Sequence, residues 1–415
     1  MESTIREIMT PTQNETTTGT TVTGPLAGIR VIDLSMYTLG PVSTQILGDM
    51  GADVIKIERP EGDVNRYIGP SRHAGMSANF MHINRNKRSV VLDLKQPKAR
   101  QALMKMIATA DVFVHCMRKQ AAVRMGIDYA TIGALNPRII YAAASGYRYD
   151  GPRKDRPAYD DIIQGESGVA ALNRPRGGEP RYFPMTFADK FIGNIQASAI
   201  GMALYSRERT GVGQEVHVPM FETLLGFNFT EHLWGATFDP PLSPPGYPRM
   251  LATNRRPYPT RDGYMCLHAV TNDTWRRLFI AINRPDMVDD KRFATVSDRS
   301  RNIEALYDNL DAEIRKYSTA ELRALLDAAD VPNAPMNELQ DLLQDSYVKE
   351  TEFFKRVDHP SEGSVLSMSI PVQFGATPVS VRALAPRLGE HTRPILEELG
   401  YSDDDIQAMS SRQSA

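Results

Sequence analysis

The chain has 415 residues, of which 41% are apolar and 24% charged, a composition for two or three packed domains rather than a disordered chain. Its formal charge of -2 gives no general attraction to nucleic acid or to an acidic membrane surface. Cys116 and Cys266 form neither a CxxC pair nor a zinc spacing, and no apolar run approaches the ~20 residues that cross a bilayer, so the expectation is a cytoplasmic protein with two reduced thiols and no membrane or nucleic-acid partner.

Residues 1–24 are rich in Thr and carry no hydrophobic leader segment; they are expected to form a flexible tail. The β-branched run Ile29–Leu34 predicts a strand, Val42–Met50 a short helix ended by Gly51, and Asp53–Glu58 a second strand. Strand, helix, strand over this length is a βαβ unit, which builds parallel sheets. The alternation continues with an extended stretch at Ser89–Leu94, a helix at Pro97–Ala110, and strands at Asp111–His115 and Arg138–Ala142. It predicts a doubly wound, Rossmann-like α/β domain. A long helix over Phe191–Arg209, spaced with Gly and Ala for close packing, leads through Thr210-Gly211 to a strand at Gln214–Val218. Residues 239–262, dense in Pro, Gly and Arg, lead to a smaller α+β domain. That domain holds Gly263–Ala269 and helices at Asp273–Ile282, Arg301–Tyr317 and Thr319–Asp330. One more amphipathic helix lies between Pro386 and Gly400.

Several chemistries lack their signatures. The loop Ser35–Pro41 after the first strand has no G-x-G-x-x-G, so the phosphate cradle of an NAD enzyme is missing. No HExxH or His-x-His suggests a metal, and no G-x-S-x-G elbow suggests a serine hydrolase. Four segments stand out: Gly48–Pro60, Asn84–Lys95 with its Asn86-Lys87-Arg88-Ser89 core, Tyr159–Gly168, and Pro184–Gln214, which contains Asp189 and the small-residue helix.

In this order, and with Pro386–Thr392 near the end, these motifs resemble the class III coenzyme A transferases, the formyl-CoA:oxalate and carnitine CoA-transferase family. The resemblance covers nearly all of the chain from Pro25 on. It implies an enzyme that moves coenzyme A from an acyl-CoA to a free small carboxylic acid without a metal. In that chemistry the Asp189 carboxylate forms first a mixed anhydride and then an aspartyl-CoA thioester. Taken alone, an Asp just ahead of a helix is more often an N-cap, and the two roles are compatible. The resemblance further implies that Arg59, Lys87 and Arg124 meet the phosphates and adenosine of coenzyme A. Thr38, Cys116, Met117 and Tyr147 would line the rest of its path, with Tyr159, Asp160 and Gln164 shaping the substrate site. Each of the three cations, by itself, reads as a solvated surface charge.

Two departures from the family matter. Relatives often carry Glu-Asn-Phe where this chain has His115-Cys116-Met117, so Cys116 lacks the amide that would contact the cofactor. The stretch Arg249–Gly263 has no glycine run like the loop of the oxalate enzymes, and Arg255 and Arg256 stand there instead, open to a substrate or a surface role. The alternatives are an α-methylacyl-CoA racemase on the same fold, or a silent coenzyme A-binding protein. The racemases place a His base where this chain has Tyr159, and a phenol with a pKa of ~10 is a poor base at neutral pH. The family also implies an interlocked homodimer. The expected organisation is residues 25–205 plus 385–415 as the large coenzyme A-binding domain, 241–334 as the small domain, and 206–240 and 335–384 as linkers.

Overall fold

The computed structural model describes residues 23–174 and 178–410. Of the expected tail, residues 1–22 lie outside the described residues. Thr23 and Gly24 do not belong to it, because the chain is already anchored there. A Cβ on Gly24 would stand 2.3 Å from the Met50 carbonyl oxygen, to which the Leu26 amide donates.

Six parallel strands form the main sheet. They are β1 Arg30–Asp33, β2 Asp53–Glu58, β3 Lys87–Val91, β4 Val112–His115, β5 Ile140–Ser145 and β6 Gln214–Pro219. Their order is β3-β2-β1-β4-β5-β6, the doubly wound arrangement, with its reversal point between β1 and β4. Both faces of the sheet are covered, so β1, β4 and β5 are mainly apolar, while β2 and β3 also bury Lys56, Glu58, Lys87 and Ser89. Side chains alternate between two layers. Ile32, Ile55 and Phe113 pack with Leu103, Met106 and Ile107 of the helix Pro97–Ala108. Val31, Val54 and Val112 pack with Leu47 of the helix Leu39–Asp49 and with Ala197, Ile200 and Ala203 of the helix Phe187–Thr210. Each such side chain contributes about 1.5–3 kcal/mol on burial.

The two helices on the second layer approach closely because of glycine. A Cβ on Gly193 would lie 2.7 Å from the Leu39 carbonyl oxygen and 3.2 Å from Val42 Cγ1. This contact fixes where the first turn of Phe187–Thr210 stands relative to the loop after β1.

The edge of β3 is closed by the end of the chain. The His391 amide donates to the Ser89 carbonyl at 2.9 Å, and Val91 N–H donates to Thr392 Oγ1 at 2.9 Å. Edge strands left open invite pairing with other chains, and this segment covers that edge. The helices Thr392–Glu398 and Asp403–Ser410 then bury Ile395, Leu396, Ile406 and Met409 in the first layer.

The small domain has its own core, built by Trp275, Leu278, Phe279, Leu306, Leu310 and Leu322 among others. Its sheet is antiparallel: β7 Tyr258–Pro259, β8 Tyr264–Leu267 and β9 Asn333–Pro335. The two expected linkers need correction. Residues 206–240 supply β6 of the main sheet and the helix Met220–His232. Residues 335–384 contain the antiparallel hairpin β10 Phe354–His359 and β11 Gly363–Met368. From the hairpin the chain runs back to the large domain, where Asn86 N–H donates to the Ala383 carbonyl at 2.9 Å and Asn86 Oδ1 accepts from Arg382 N at 2.7 Å. The hairpin was illegible because it is half-exposed and charged, so its strands lack a buried apolar face. Among the described residues no helix is long and apolar enough to cross a membrane.

Candidate active site

The helix that carries Asp189 begins at Phe187, four residues before the sequence suggests. Asp189 is therefore the third residue of the first turn and not the N-cap. Thr186 holds the cap position without a side-chain bond. The missing cap comes from a second helix, Asp160–Glu166: Asp160 Oδ1 accepts the Asp189 amide at 3.0 Å. Gln164 donates to the other Asp160 oxygen, Oδ2, and its own Oε1 accepts Phe183 N–H at 2.8 Å. Asp160 and Gln164 are buried, so this bracket is rigid.

The bracket has an electrostatic consequence. Burial, then the neighbouring charges of Asp160 and Asp161, push the Asp189 carboxyl up to about 7. The positive end of a 24-residue helix works the other way, and burial outweighs it. A half-buried carboxylate raised toward neutrality, with no cation paired to it among the described residues, is the kind of group that reactive sites contain.

A cavity of about 970 Å³ opens at the reversal point of the sheet, at the upper end of the ~300–1,000 Å³ usual for small-molecule sites. Its walls come from the carboxyl ends of the central strands: Leu34 after β1, Ile57 to Arg59 at β2, Leu92 after β3, and Cys116 and Met117 after β4. Arg59, Lys95 and Arg100 supply positive charge on this wall, and all three are exposed. Cys116 links this cavity to Asp189. It lines the wall, and burial followed by the charges of Asp33 and Asp189 pushes its thiol well above the ordinary range. The thiol is inert and acts as a small apolar surface between the two. His115 sets this turn: its Nδ1 accepts Met117 N–H at 3.1 Å while Nε2 meets Tyr141 Oη at 2.7 Å. Burial, then His217, pulls its pKa down to about 4, so it stays neutral.

Tyr37 closes the same wall and was not singled out in the sequence. Its backbone is left-handed, φ 65, a conformation that is a genuine outlier for a bulky residue. Two side chains hold it there: Asp63 Oδ1 accepts its amide at 3.2 Å and Asn65 Nδ2 donates to its carbonyl. Its ring stands edge-on to Tyr159 with centroids 5.6 Å apart.

Of the expected site residues, Arg59, Cys116 and Met117 line this cavity; Asp189, Tyr159, Asp160 and Gln164 are not on its wall, and Lys87, Tyr147, Thr38 and Arg124 fall elsewhere. Lys87 does not reach the cavity. Its ammonium is sealed inside the domain, donating to the Pro41 carbonyl and Asn84 Oδ1 at 2.9 Å each and pairing with Asp33 at 3.3 Å. Burial pulls its pKa down to about 8 against the attraction of Asp33. Asp33 in turn is pushed up by burial, but Lys87 and Lys56 outweigh that and hold it below the carboxylate range. Tyr147 is a core residue, 2% exposed, and donates to Glu166 Oε2 at 2.9 Å. Thr38 is buried at the cap of Leu39–Asp49 and makes no side-chain cap bond. Arg124 is exposed in the last turn of the helix Lys119–Met125, next to Met125 of the cavity wall. Lys95 and Arg100 were missed; Lys95 ends the Asn84–Lys95 segment and Arg100 lies five residues on, and a strand ending at Val91 would have placed them past the sheet's carboxyl edge. Among the described residues no group of three or more His, Cys, Asp or Glu could hold a metal ion.

Known proteins share both sequence and fold with this chain. The succinate–glutarate CoA-transferase of Agrobacterium fabrum is 32% identical over 391 residues, 90% of this chain and 96% of the relative. The succinyl-CoA–L-malate CoA-transferase beta subunit of Chloroflexus aurantiacus is 30% identical over 95% of this chain and 99% of the relative. A crystal structure of a CAIB/BAIF family protein from Brucella suis superimposes with a TM-score of 0.76 at 30% identity, covering 91% of this chain and 100% of that one. The profile of CoA-transferase family III matches residues 26–392, which takes in the whole main sheet, the small domain and the edge-closing segment. The chain belongs to CoA-transferase family III, a family of enzymes.

Proposed function

We propose that this enzyme exchanges coenzyme A between an acyl-CoA and a free dicarboxylic acid, with Asp189 as the nucleophile. The observation that carries the assignment is a carboxyl raised to about 7 whose charge reaches Cys116, a residue of the reversal-point cavity wall. An Asp189 oxygen attacks the thioester carbonyl; the C–S bond breaks and coenzyme A leaves as thiolate. The thiolate attacks the aspartyl carbonyl of the resulting anhydride and expels the donor acid as carboxylate. An aspartyl-CoA thioester remains. The acceptor carboxylate then attacks that thioester, and thiolate returns to the acceptor's acyl carbon, restoring Asp189. No proton is gained or lost overall, and only the ionised carboxylate can begin the cycle.

Arg59, Lys95 and Arg100 suit the diphosphate and 3′-phosphate of coenzyme A, with Arg124 close to the same mouth. Cys116 and Met117 suit the pantetheine arm, and Tyr159, Asp160 and Gln164 frame the acyl end. The names of the relatives, which include succinate, glutarate and malate, support a dicarboxylic acceptor. A homodimer, interlocked as in the family, fits the exposed Phe227, Phe229, Trp234 and Phe238 along and beyond the helix Met220–His232. The test is transfer from succinyl-CoA to labelled glutarate. The wild type is expected to exchange, and Asp189→Ala to fall by about 10⁴-fold or more with coenzyme A affinity kept. Retained turnover in that variant would remove Asp189 from the mechanism.

A further inference from the structure

Tyr37 poses a physical question that the catalytic cycle leaves unanswered. A non-glycine residue in a sparsely populated backbone region is strained, and such a conformation persists only where the surroundings over-determine it. Here they do. Asp63, which accepts the Tyr37 amide, is itself fixed by a fully buried pair with Lys56 at 2.8 Å. Asn65 donates to the Tyr37 carbonyl and is buried too. The Lys56 ammonium also donates to the Ser35 carbonyl at 2.8 Å, pinning the same loop two residues earlier. Four buried polar groups thus serve to aim one ring.

That ring is 38% exposed and forms part of the cavity wall. Its neighbour Tyr159 directly precedes Asp160, the residue that holds the Asp189 amide. Cys116, which feels the Asp189 charge, lines the same cavity. The Tyr37–Tyr159 pair therefore lies on the side of the cavity that leads toward Asp189, with Arg59 near enough for its charge to act on the Tyr37 hydroxyl. A core aromatic would be buried, and a surface aromatic would need no strained backbone; Tyr37 is neither.

We propose that Tyr37 determines acyl-group specificity: with Tyr159 it forms a rigid aromatic end wall that admits short acyl groups to Asp189 and blocks long ones. The inference rests on Asp189 being the nucleophile. Removing the ring opens space where an acyl chain would extend, while Tyr37→Phe keeps the wall and loses only the hydroxyl.

The test compares wild type, Tyr37→Phe, Tyr37→Ala and Tyr37→Gly with succinyl-CoA and octanoyl-CoA as donors to a common acceptor. The readout is the octanoyl-to-succinyl ratio of kcat/KM. It should rise by about 10-fold or more in the Ala and Gly variants, since a few methylenes carry that much discrimination, and stay near the wild-type ratio in the Phe variant. Gly accepts φ 65 without strain, so Tyr37→Gly should melt higher than Tyr37→Ala and guards against a misfolded comparison. An unchanged ratio in a folded Tyr37→Gly enzyme would overturn the proposal. Failure of the Asp189 assignment shows separately, as undiminished transfer by Asp189→Ala.

Discussion

Asp160 is where charge and geometry meet. Its carboxylate both holds the Asp189 amide and raises the Asp189 pKa. Since the cycle begins from the ionised carboxylate, kcat/KM of the wild type should rise with pH through about 7. Asp160→Asn keeps an acceptor for the amide and removes the like charge. The Asp189 pKa then falls, so the acid limb of the profile should move to lower pH, with relatively more activity at pH 6. A limb that moves upward or stays fixed would contradict this account. Lys87 shows the opposite case, a residue with a motif and no path to substrate. Its ammonium pairs with Asp33 where both side chains are fully buried. Lys87→Met should cost about 3–5 kcal/mol in urea unfolding, because it leaves a buried carboxylate unpaired. A loss below about 1 kcal/mol would place the lysine outside the structural network. The sequence suggested Lys87 because a motif marks a position without saying which way its side chain points. In a parallel strand alternate residues face opposite layers, and Lys87 faces inward while Lys95, beyond the strand, reaches the cavity.

At the scale of elements, the strands of the main sheet were legible from their short β-branched runs, Val-Ile in β1 and β2, Val-Val in β3 and Val-Phe-Val in β4. Helix starts were not. The long helix reads from Phe191 because Asp189 itself looks like a cap, whereas Thr186 holds the cap position without a side-chain bond and Asp160 of another helix accepts a first-turn amide instead. That single displacement turns Asp189 from a cap into a first-turn residue. The small-residue spacing was legible and has a definite consequence at Gly193, whose hydrogen faces the Leu39 carbonyl. Gly193→Val would force the helix away from backbone, which cannot yield as a side chain can. The expected loss is about 1–3 kcal/mol of stability. Transfer should drop by about 100-fold, since an ångström of displacement at a nucleophile is costly. Melting temperature and kcat/KM on the same preparation check both. A stable variant with full activity would show that the helix contact does not position Asp189.

For the whole molecule, the two-domain plan and the return of the C-terminus to the large domain follow from chemistry written in the chain. The edge of β3 needs a cover, and residues 389–392 provide it. Residues 206–240 and 335–384 resisted reading for two different reasons. In the first, the strand at Gln214–Val218 was legible but the helix Met220–His232 was not, because its apolar residues are spread around it rather than gathered on one face. The second holds a hairpin without a core of its own. Neither affects the central claim, which is that the Asp189 side chain becomes covalently loaded during turnover. Acyl-CoA and enzyme can be mixed without acceptor, quenched with hydroxylamine, digested and weighed peptide by peptide. The account predicts a hydroxamate on Asp189 that depends on the acyl-CoA and disappears when acceptor acid is added. Unmodified Asp189 in enzyme that is turning over, or a hydroxamate on a different carboxylate, would contradict it.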